Sequence, residues 1–347
     1  MTEIEAEGTS VVTPTRSDNT LPLHGAVFIT WERHRRTRGI AEYFGVTTEE
    51  IVASGPRWRR YPVQLWHTVC TLMRTRATTI IVQNPSLILG LVAVLWRRSA
   101  GRGRRVVVDA HNQAVVPYLA NNPVIRWLSR LVIRGADLTL VTNPSLADKV
   151  TVIGGQACVL PDRLPEVEPR SANPLDEGQP LRVLVVATYA PDEPIDAVLK
   201  AAASSGTNFQ FAFTGNWRKL AASSRALAGE NVGFLGYLDD SAYWQAMVDS
   251  HVVLDLTLMP DCLVCGAYEA VAIGRPVVLS DTPVQRAYFR DAARYTIPEE
   301  SSITDCLRAL RREYLLAVAQ VTRRREEMSR EWQVSAGRVV ERIQSLA

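Results

Sequence analysis

The feature that most constrains this chain is an alternation of short apolar runs with helix-periodic stretches, which occurs in one half and restarts in the other. Each run is short and apolar or β-branched, as buried strands are. Strands that alternate with helices predict a parallel sheet with helices on both faces. We therefore expect an α/β fold with two such sheets. The predicted strands are 26–30, 78–82, 105–109 and 138–142 in the first half, and 181–187, 209–213, 232–235, 251–256 and 276–280 in the second.

The two series are separated by residues 161–180, which are rich in proline and charge and poor in apolar side chains. That composition is typical of an interdomain linker, and a length of 347 residues agrees with two domains of ~100–200 residues each. The predicted organisation is a disordered leader at 1–22, an N-terminal Rossmann-like domain at 23–165, a linker at 166–180, a C-terminal Rossmann-like domain at 181–325, and a C-terminal helix at 326–347 that packs back toward the first domain.

Cysteine usage and targeting signals bear on location. The five cysteines are scattered and odd in number, which argues against a disulfide framework and for a reducing compartment. The polar N-terminus has no secretory signal pattern. The longest apolar run, 86–96, is shorter than the ~20 residues that a membrane-spanning helix needs. We expect a cytoplasmic protein, with peripheral contact at the inner face of the membrane left open.

Positive charge is concentrated in the first half. Residues 1–170 hold 21 lysines and arginines against 14 acidic residues, and 33–105 alone hold 14 arginines against three glutamates. This asymmetry indicates an anionic partner, an acidic membrane surface or nucleic acid, although a solvated basic face has the same composition. No nucleic-acid-binding module is recognisable, so we expect no nucleic-acid partner. Trp58, which lies among arginines, is either an interfacial membrane anchor or a buried side chain with exposed neighbours.

The segment most informative about chemistry runs from Asp261 to Glu269 and leads into the strand at 276–280. Its two carboxylates lie eight residues apart, joined by a loop and the start of a helix. The amide of Gly266 can approach a ligand closely, and a helix N-terminus offers N–H groups to an anion. Glu269 is expected about one turn into the helix, where it would accept hydrogen bonds from sugar hydroxyls. Acids at this place can also simply stabilise the helix terminus.

This segment resembles the E-x7-E region of GT-B glycosyltransferases, especially that of the retaining, family 4-like group of bacterial polysaccharide enzymes. The stretch from Gly236 to Thr257 is also similar to family sequences, and Asp109-Ala-His111 resembles the acceptor-side histidine loop. The resemblance extends over residues 24–345 and is strongest over 231–281. It implies a GT-B fold of two Rossmann-like domains facing a cleft, in which the first domain binds the acceptor and the second binds a nucleotide-sugar.

The resemblance also implies roles for individual residues. Glu269 matches the acid that binds the nucleotide ribose, and Asp261 matches the acid that faces the transferred sugar. His111 matches a histidine near the reacting centre, where it would act as a general base or contact the sugar, with Asp109 to orient it. A structural role stays open for both residues. The other expected donor-binding residues are Thr188, Asn216, Tyr237, Cys265, Gly266 and Ala267.

Three arginines that follow the first strand, Arg33, Arg35 and Arg36, are expected to bind the acceptor. Their forked guanidinium groups match the geometry of a diphosphate. A role in solubility alone is the alternative.

The sequence departs from the family pattern in three places. The first acid is aspartate rather than glutamate, and the glycine-rich loop expected after the first strand is replaced by residues 31–37, WERHRRT. The family has a basic pair that neutralises the donor diphosphate, and this pair is absent from the stretch after 181–187, which is acidic. Arg218 or Lys219, after the next strand, could take its place. These departures leave open the donor, the stereochemical outcome and a loss of catalysis.

The predicted function is transfer of a sugar from a nucleoside-diphosphate sugar to an acceptor hydroxyl, with a lipid-linked saccharide in cell-surface polysaccharide synthesis as the expected acceptor. Helix N-termini and basic side chains would neutralise the leaving diphosphate, so we expect no cofactor and no required metal. Cys262 and Cys265 form a C-x-x-C pair, but a zinc site needs about four ligands and the sequence has no second pair. The alternatives are a nucleotide-sugar epimerase-like enzyme of the same fold and a non-catalytic scaffold with a degraded site.

Overall fold

The chain folds into two compact units. The first consists of the residues up to Arg163 together with those from Trp332 onwards, and the second of Leu164–Glu331. The structure, a computed structural model, describes residues 10–12, 21–84, 86–99, 103–116 and 122–346. Most of the predicted leader, 1–22, lies outside this part of the chain.

The predicted strands are present in the described residues with small shifts at their ends, and four further strands, Ser10–Val12, Thr47–Glu50, Ala157–Val159 and Ala293–Thr296, were not predicted. The strands are β1 (Ser10–Val12), β2 (Ala26–Thr30), β3 (Thr47–Glu50), β4 (Thr79–Asn84), β5 (Arg105–Ala110), β6 (Leu138–Val141), β7 (Ala157–Val159), β8 (Leu181–Val185), β9 (Phe209–Thr214), β10 (Val232–Gly236), β11 (Val252–Asp255), β12 (Val277–Ser280) and β13 (Ala293–Thr296).

The helices alternate with these strands in both units. They are α1 (Arg35–Tyr43), α2 (Arg57–Arg74), α3 (Leu87–Ser99), α4 (Asn112–Val115), α5 (Pro123–Gly135), α6 (Pro144–Ile153), α7 (Ile195–Ser205), α8 (Ala222–Arg225), α9 (Asp240–Asp249), α10 (Cys265–Ile273), α11 (Pro283–Phe289), α12 (Glu300–Arg312) and α13 (Tyr314–Gln344). None of the helices in the described ranges is both long and apolar enough to cross a membrane.

The sheet of the first unit has the order β1-β3-β2-β4-β5-β6-β7, parallel except for β1, which runs antiparallel to β3. Helices α2 to α6 cover one face through a cluster that includes Leu72, Leu89 and Val132. Helix α1 and the end of α13 cover the other face through Ile40 and Trp332. The strand order reverses at β2, between β3 and β4. Open α/β sheets bind ligands at the carboxyl ends of strands at such a point.

The sheet of the second unit has the order β10-β9-β8-β11-β12-β13 and is wholly parallel. Helices α7 and α12 pack on one face through Val198 and Leu307. Helices α9, α10 and α11 and the first part of α13 pack on the other, through Met247, Val271 and Val321. The order reverses between β8 and β11. The predicted α/β fold of two Rossmann-like units is therefore confirmed.

Helix α2 was not among the predicted elements. Pro62 lies inside it, and an interior proline usually ends a helix. Contacts with other elements hold it in place. The indole nitrogen of Trp96, on α3, donates to the Leu72 carbonyl at 3.0 Å, and the Gln64 side chain donates to the carbonyl of Ile51 at 3.0 Å. Tertiary packing therefore outweighs the local cost of the proline.

Candidate functional site

The carboxyl ends of β8, β11 and β12 form one polar edge in the second unit. Thr257 Oγ1 donates to Asp192 Oδ2 at 2.9 Å, and the Leu258 amide donates to the Asp192 carbonyl at 2.7 Å. The Ser280 hydroxyl accepts from the Thr257 amide at 2.9 Å. These bonds tie the loops after β8 and β11 to the end of β12. The edge lies at the switch point of the sheet, where a ligand is expected.

Asp255 ends β11 and is buried beneath this edge. Its Oδ2 accepts from the amide of Gly266, in the first turn of α10, at 3.0 Å. Burial raises the pKa of Asp255 to about 8, with repulsion from Glu193 and Glu269 adding to the effect and the Gly266 bond opposing it. The Asp255 carboxyl is therefore largely protonated at neutral pH.

The same bond corrects the role predicted for Gly266. A Cβ on residue 266 would lie 2.5 Å from Asp255 Oδ2 and 3.1 Å from a methyl of Val186. The glycine lets α10 pack closely on β8 and β11. The prediction that the Gly266 amide is presented to the donor is wrong, because Asp255 takes that amide.

Glu269 lies in the second turn of α10 and is buried. Its Oε2 accepts from the hydroxyl of Tyr243, on α9, at 2.6 Å. Burial, with the Glu269 charge second, raises the pKa of Tyr243, so the phenol keeps its proton and orients the carboxylate. A carboxylate accepts about four hydrogen bonds, so this bond is compatible with hydroxyls of a ligand on the same group. Asp261 is buried in the loop that leads from β11 to α10.

The loop between β8 and α7 is folded around its own carboxylate. Glu193 accepts from the Thr188 amide at 2.9 Å, from the Thr188 hydroxyl at 2.5 Å and from the Tyr189 amide at 2.7 Å. Tyr189 has a φ of +59°, a left-handed conformation that non-glycine residues seldom adopt. Backbone strain of this kind clusters at ligand-binding loops. The Glu193 carboxylate thus lies in the loop after β8, where the resemblance would place a basic pair.

A cavity of about 500 Å³ opens beside this loop. Its lining includes Tyr189, Glu193, Lys219 and Leu258. Lys219 belongs to a short 3-10 turn after β9, and its Nζ donates to the Thr188 carbonyl at 2.9 Å. Sites for small ligands have volumes of ~300–1,000 Å³. The cavity is therefore large enough for part of a nucleotide-sugar, and Lys219 is the basic residue of its lining, but Asp261, Cys265 and Glu269 do not line it.

Three predicted donor-binding residues lie at the carboxyl ends of strands, as expected. The amide and hydroxyl of Thr188 are engaged by Glu193. Asn216 is exposed and caps the turn after β9 by accepting from the Arg218 amide at 3.3 Å. Tyr237, after β10, is 90% exposed. Their contacts with a donor stay predictions.

The two other predicted residues at the start of α10 differ in exposure. Cys265 is exposed as the first residue of the helix, whereas Ala267 is buried and its amide donates to the Val264 carbonyl at 3.3 Å. The cap residue Val264 offers no side-chain oxygen to the helix. A ligand anion would therefore meet the first turn of α10 at Cys265 rather than at Ala267.

Arg36, in the first unit, is buried between two aspartates. Its Nε and Nη2 donate to Asp109 at 3.0 and 2.8 Å, its Nη1 donates to Asp162 at 2.5 Å, and Nη2 also reaches the Leu160 carbonyl at 2.9 Å. Burial alone would lower the pKa of Arg36, but the two carboxylates outweigh it and raise the pKa. The prediction that Arg36 binds the acceptor is wrong, because its donors are used inside the fold. The orienting contact predicted between Asp109 and His111 is not formed, since Arg36 takes the carboxylate.

His111 follows β5 and is half-buried. Its ring packs edge-on against His34 with a centroid distance of 4.9 Å, and its Nε2 lies 3.5 Å from the Gln83 side-chain nitrogen. Burial lowers the pKa of His111; Asp109 opposes this shift, and Arg36 and His34 reinforce it. The imidazole is therefore neutral at pH 7, the form in which a ring nitrogen can accept a proton from a hydroxyl.

Further polar groups gather around His111 at the switch point of the first sheet. Gln83 lies 2.5 Å from the hydroxyl of Thr30, at the end of β2. Asn84 ends β4, its carbonyl accepts from the His111 amide at 3.1 Å, and both polar atoms of its side chain are buried without a partner in the described chain. Unsatisfied buried amides are uncommon.

Arg33 and Arg35 lie on the surface beside this site. Arg33 Nε is 3.8 Å from Glu50, which also receives a two-pronged contact from Arg38 at 2.7 and 2.9 Å. A role for Arg33 and Arg35 in acceptor binding stays a prediction.

Six residues of these sites were missed by the sequence analysis: Asp255, Glu193, Tyr243, His34, Gln83 and Asn84. Most of them are brought to their site by the fold rather than by a local motif, whereas Glu193 contacts its own loop, in an acidic stretch that was a visible signal. No group of three or more histidine, cysteine, aspartate or glutamate side chains in the described ranges is placed to hold a metal ion.

Comparisons with known proteins agree with this architecture. Residues 196–341 match the family model described as "Glycosyl transferase-like". No curated protein matches the chain in sequence. Anabaena HepE in complex with UDP and glucose has a TM-score of 0.69 and 13% identity, covering 92% of this chain and 91% of that one.

Two further solved structures have the same architecture. The UDP-forming α,α-trehalose-phosphate synthase of Burkholderia xenovorans has a TM-score of 0.67 and 11% identity, covering 93% of this chain and 99% of that one. S. aureus TarM, in a complex that contains UDP, has a TM-score of 0.62 and 12% identity, covering 87% of this chain and 60% of that one. At these identities the likeness shows a shared two-domain fold.

Proposed function

We propose that this chain, a glycosyltransferase with the GT-B fold, transfers a sugar from a UDP-sugar to a hydroxyl of a lipid-linked saccharide in cell-surface polysaccharide synthesis. Two solved structures of the same fold, HepE and TarM, hold UDP, which supports uridine as the donor base. The arginine surplus of the first unit supports an anionic, lipid-linked acceptor.

The observation that carries the donor assignment is the Glu269–Tyr243 pair. It combines a buried carboxylate with a phenol that fixes its orientation at 2.6 Å. Carboxylates held in this way recognise vicinal hydroxyls, such as those of a ribose, because each oxygen can accept from a neighbouring hydroxyl. The donor diphosphate would lie toward the first turn of α10 and Lys219, whose positive charges favour the leaving group. Asp261, in the loop before α10, would face the transferred sugar.

On the acceptor side, the neutral imidazole of His111 would contact the reacting hydroxyl. A general base must be in its unprotonated form at the working pH. Burial gives His111 that property. Gln83, whose side-chain nitrogen lies 3.5 Å from His111 Nε2, would hold a neighbouring hydroxyl of the same saccharide.

The donor proposal is tested by thermal shift of the whole chain with UDP, GDP, dTDP, ADP and CMP, with and without EDTA. We expect UDP alone to stabilise the protein, with EDTA present or absent, and a ligand at 100 times its Kd adds ~2.7 kcal/mol. The shift should be lost in Glu269→Gln and retained in Glu326→Gln, which changes an exposed glutamate of α13.

The outcomes separate the alternatives. A shift with another nucleotide would replace uridine, and a shift abolished by EDTA would overturn the metal-free binding. No shift with any nucleotide would favour a non-catalytic scaffold. Conversion of a UDP-sugar without an added acceptor, detected by chromatography, would favour the epimerase-like enzyme.

A further inference from the structure

Helix α2 presents an apolar stripe to solvent. Trp58, Trp66 and Met73 are 71%, 68% and 78% exposed. They are spaced by eight and seven residues, which places them on one face of a helix. Leu65 and Val69 lie between them on the same face and are also exposed. Soluble proteins seldom leave two tryptophans and a methionine exposed in one contiguous patch.

The charged side chains of helix α2 itself are all positive. Helix α2 has four arginines and no acidic residue. The guanidinium of Arg59 lies 4.9 Å from the ring centre of Trp58, and Arg57 and Arg74 are exposed at the two ends of the helix. An apolar face with tryptophan, bordered by arginine, is the composition of a helix that lies in the interface of an anionic bilayer.

The opposite face of α2 is fixed to the acceptor side of the first unit. Gln64 donates to the Trp31 carbonyl at 3.1 Å, and the Trp31 indole donates to the Thr68 hydroxyl at 2.8 Å. Trp31 follows β2 directly and precedes His34, whose ring packs against His111. The exposed stripe therefore lies on the side of α2 that faces away from residues 31–34, the loop between β2 and α1 that contains His34 (the His34 loop).

Neighbouring helices continue this surface. Helix α3 packs on both α2 and α5, and the three cover the same face of the sheet. Leu95 of α3 is 61% exposed and Trp127 of α5 is 58% exposed, with Arg126 and Arg130 exposed beside the latter. Positive charge and exposed apolar side chains thus recur on all three helices.

We propose that α2 docks this protein on an anionic membrane, with Trp58, Trp66 and Met73 in the headgroup region and Arg57, Arg59 and Arg74 on lipid phosphates. A second copy of the chain is disfavoured as the occupant, because two-fold pairing of α2 with itself would bring eight arginines together without an acid. The inference rests on the proposed function, since docking would bring a lipid-linked acceptor to the His34 loop.

The test is cosedimentation of the whole chain with vesicles of phosphatidylcholine alone or mixed with phosphatidylglycerol. We expect binding to the anionic vesicles that weakens as salt rises. The double variant Trp58→Ser/Trp66→Ser should lower the partition coefficient by about tenfold or more, and Arg57→Gln/Arg59→Gln/Arg74→Gln should remove the preference for phosphatidylglycerol. The matched controls, Leu315→Ser and Arg312→Gln on the second unit, should bind as wild type does.

Three results would overturn the proposal: absence of binding to anionic vesicles at low salt, binding unchanged in the tryptophan variant, or a lipid-free dimer that the tryptophan variant converts to monomer. The last would assign the stripe to self-association. Thermal shift with UDP on the same variants keeps the two proposals apart. Vesicle binding without any UDP shift would remove the transferase proposal alone, and a UDP shift without vesicle binding would remove the docking alone.

Discussion

Arg36 shows how a residue chosen for ligand binding can instead hold a fold together. It lies among a cluster of arginines that looks uniform in sequence, yet it alone of the three predicted acceptor residues is buried, between Asp109 and Asp162. Removing one partner of a buried ion pair leaves an uncompensated charge in the interior. Replacing Arg36 should therefore lower the free energy of unfolding, rather than change acceptor binding directly.

We expect Arg36→Met to lower the free energy of unfolding of the first unit by about 3–5 kcal/mol. Hydrogen exchange of β5 amides measures that quantity for the unit itself. Arg33→Met, at an exposed side chain, should change it by less than about 0.5 kcal/mol. Adding Asp109→Leu to Arg36→Met should recover part of the loss, and a cost below about 1 kcal/mol for the single variant would contradict a structural ion pair.

Asp255 predicts a pH dependence of stability in the second unit. Its pKa is about 8 when folded and ~3.9 when unfolded, so between these values the folded state holds a proton that the unfolded state has lost. Stability must therefore fall as pH rises through this window and level off above it. Asp255→Asn keeps an oxygen for the Gly266 amide and removes the titration.

As pH rises from 5 to 8, the free energy of unfolding should consequently fall less in the asparagine variant than in wild type. The difference between the two proteins should exceed about 1 kcal/mol at pH 8, since one pKa unit corresponds to ~1.4 kcal/mol. Urea denaturation at the two pH values measures the difference. Equal pH profiles for the two proteins would mean that Asp255 is ionised throughout.

At this scale the sequence identified residues with a local signal and missed those without one. Glu269 and His111 were found because they belong to recognisable segments. Asp255 was missed as a site residue because its partner, Gly266, lies eleven residues away on another element. Glu193 was missed although its partner, Thr188, is only five residues away, because the composition of the loop does not specify the turn that brings the two together.

Two glycines that lie inside helices, Gly266 and Gly39, differ in the space that surrounds them. In α10, Gly266 allows close packing on β11, since a Cβ there would lie 2.5 Å from Asp255 Oδ2. In α1, a Cβ on Gly39 would meet nothing within 4 Å. The same substitution should therefore have opposite signs in the two helices.

We expect Gly266→Ala to destabilise the second unit by about 1–3 kcal/mol through overpacking. Gly39→Ala should stabilise the first unit by about 0.5–1 kcal/mol, because alanine loses less conformational entropy in a helix. Thermal denaturation of both variants measures the signs. Stabilisation by both would show that α10 can shift away from β11.

Helix α2 marks the limit of prediction at the level of elements. Its proline, its arginines and its three aromatic side chains obscured the period of the helix, and its apolar residues are divided between a buried and an exposed stripe. The buried strands were easier to predict, because a continuous apolar, β-branched run indicates a strand that is buried on both faces of a sheet.

The final helix makes the first unit depend on the end of the chain. Residues from Trp332 onwards belong to that unit, where Trp332 packs on Tyr43 with a centroid distance of 4.7 Å and its indole donates to the Pro161 carbonyl at 2.9 Å. Val339 and Ile343 complete the same apolar cluster. Without this part of the helix, the sheet formed by the first 163 residues would lack part of the apolar cover on one of its faces.

Deletion of 332–347 should destabilise the first unit while the second keeps its structure. Hydrogen exchange would show β2 and β5 amides losing protection and β11 and β12 amides retaining it. The substitution Val334→Ser, at a side chain of the same helix segment that is 55% exposed, serves as the control and should leave both units as in wild type. Equal protection of β2 in the long deletion would contradict a structural role for the helix end.

What the sequence determined by itself was the class and repetition of the fold, because strand and helix periods are local properties and were read twice along the chain. It also located the acidic loop and the histidine segment. The tertiary structure decided which polar groups are consumed within the fold: Arg36 by two aspartates, the Gly266 amide by Asp255, and the Thr188 loop by Glu193. For Arg36 the physical reason is that hydrogen-bond satisfaction and burial depend on residues far apart in the chain, which no local pattern specifies. For the Gly266 amide and the Thr188 loop the partners are closer in the chain, but the turn that brings them together is not specified by composition.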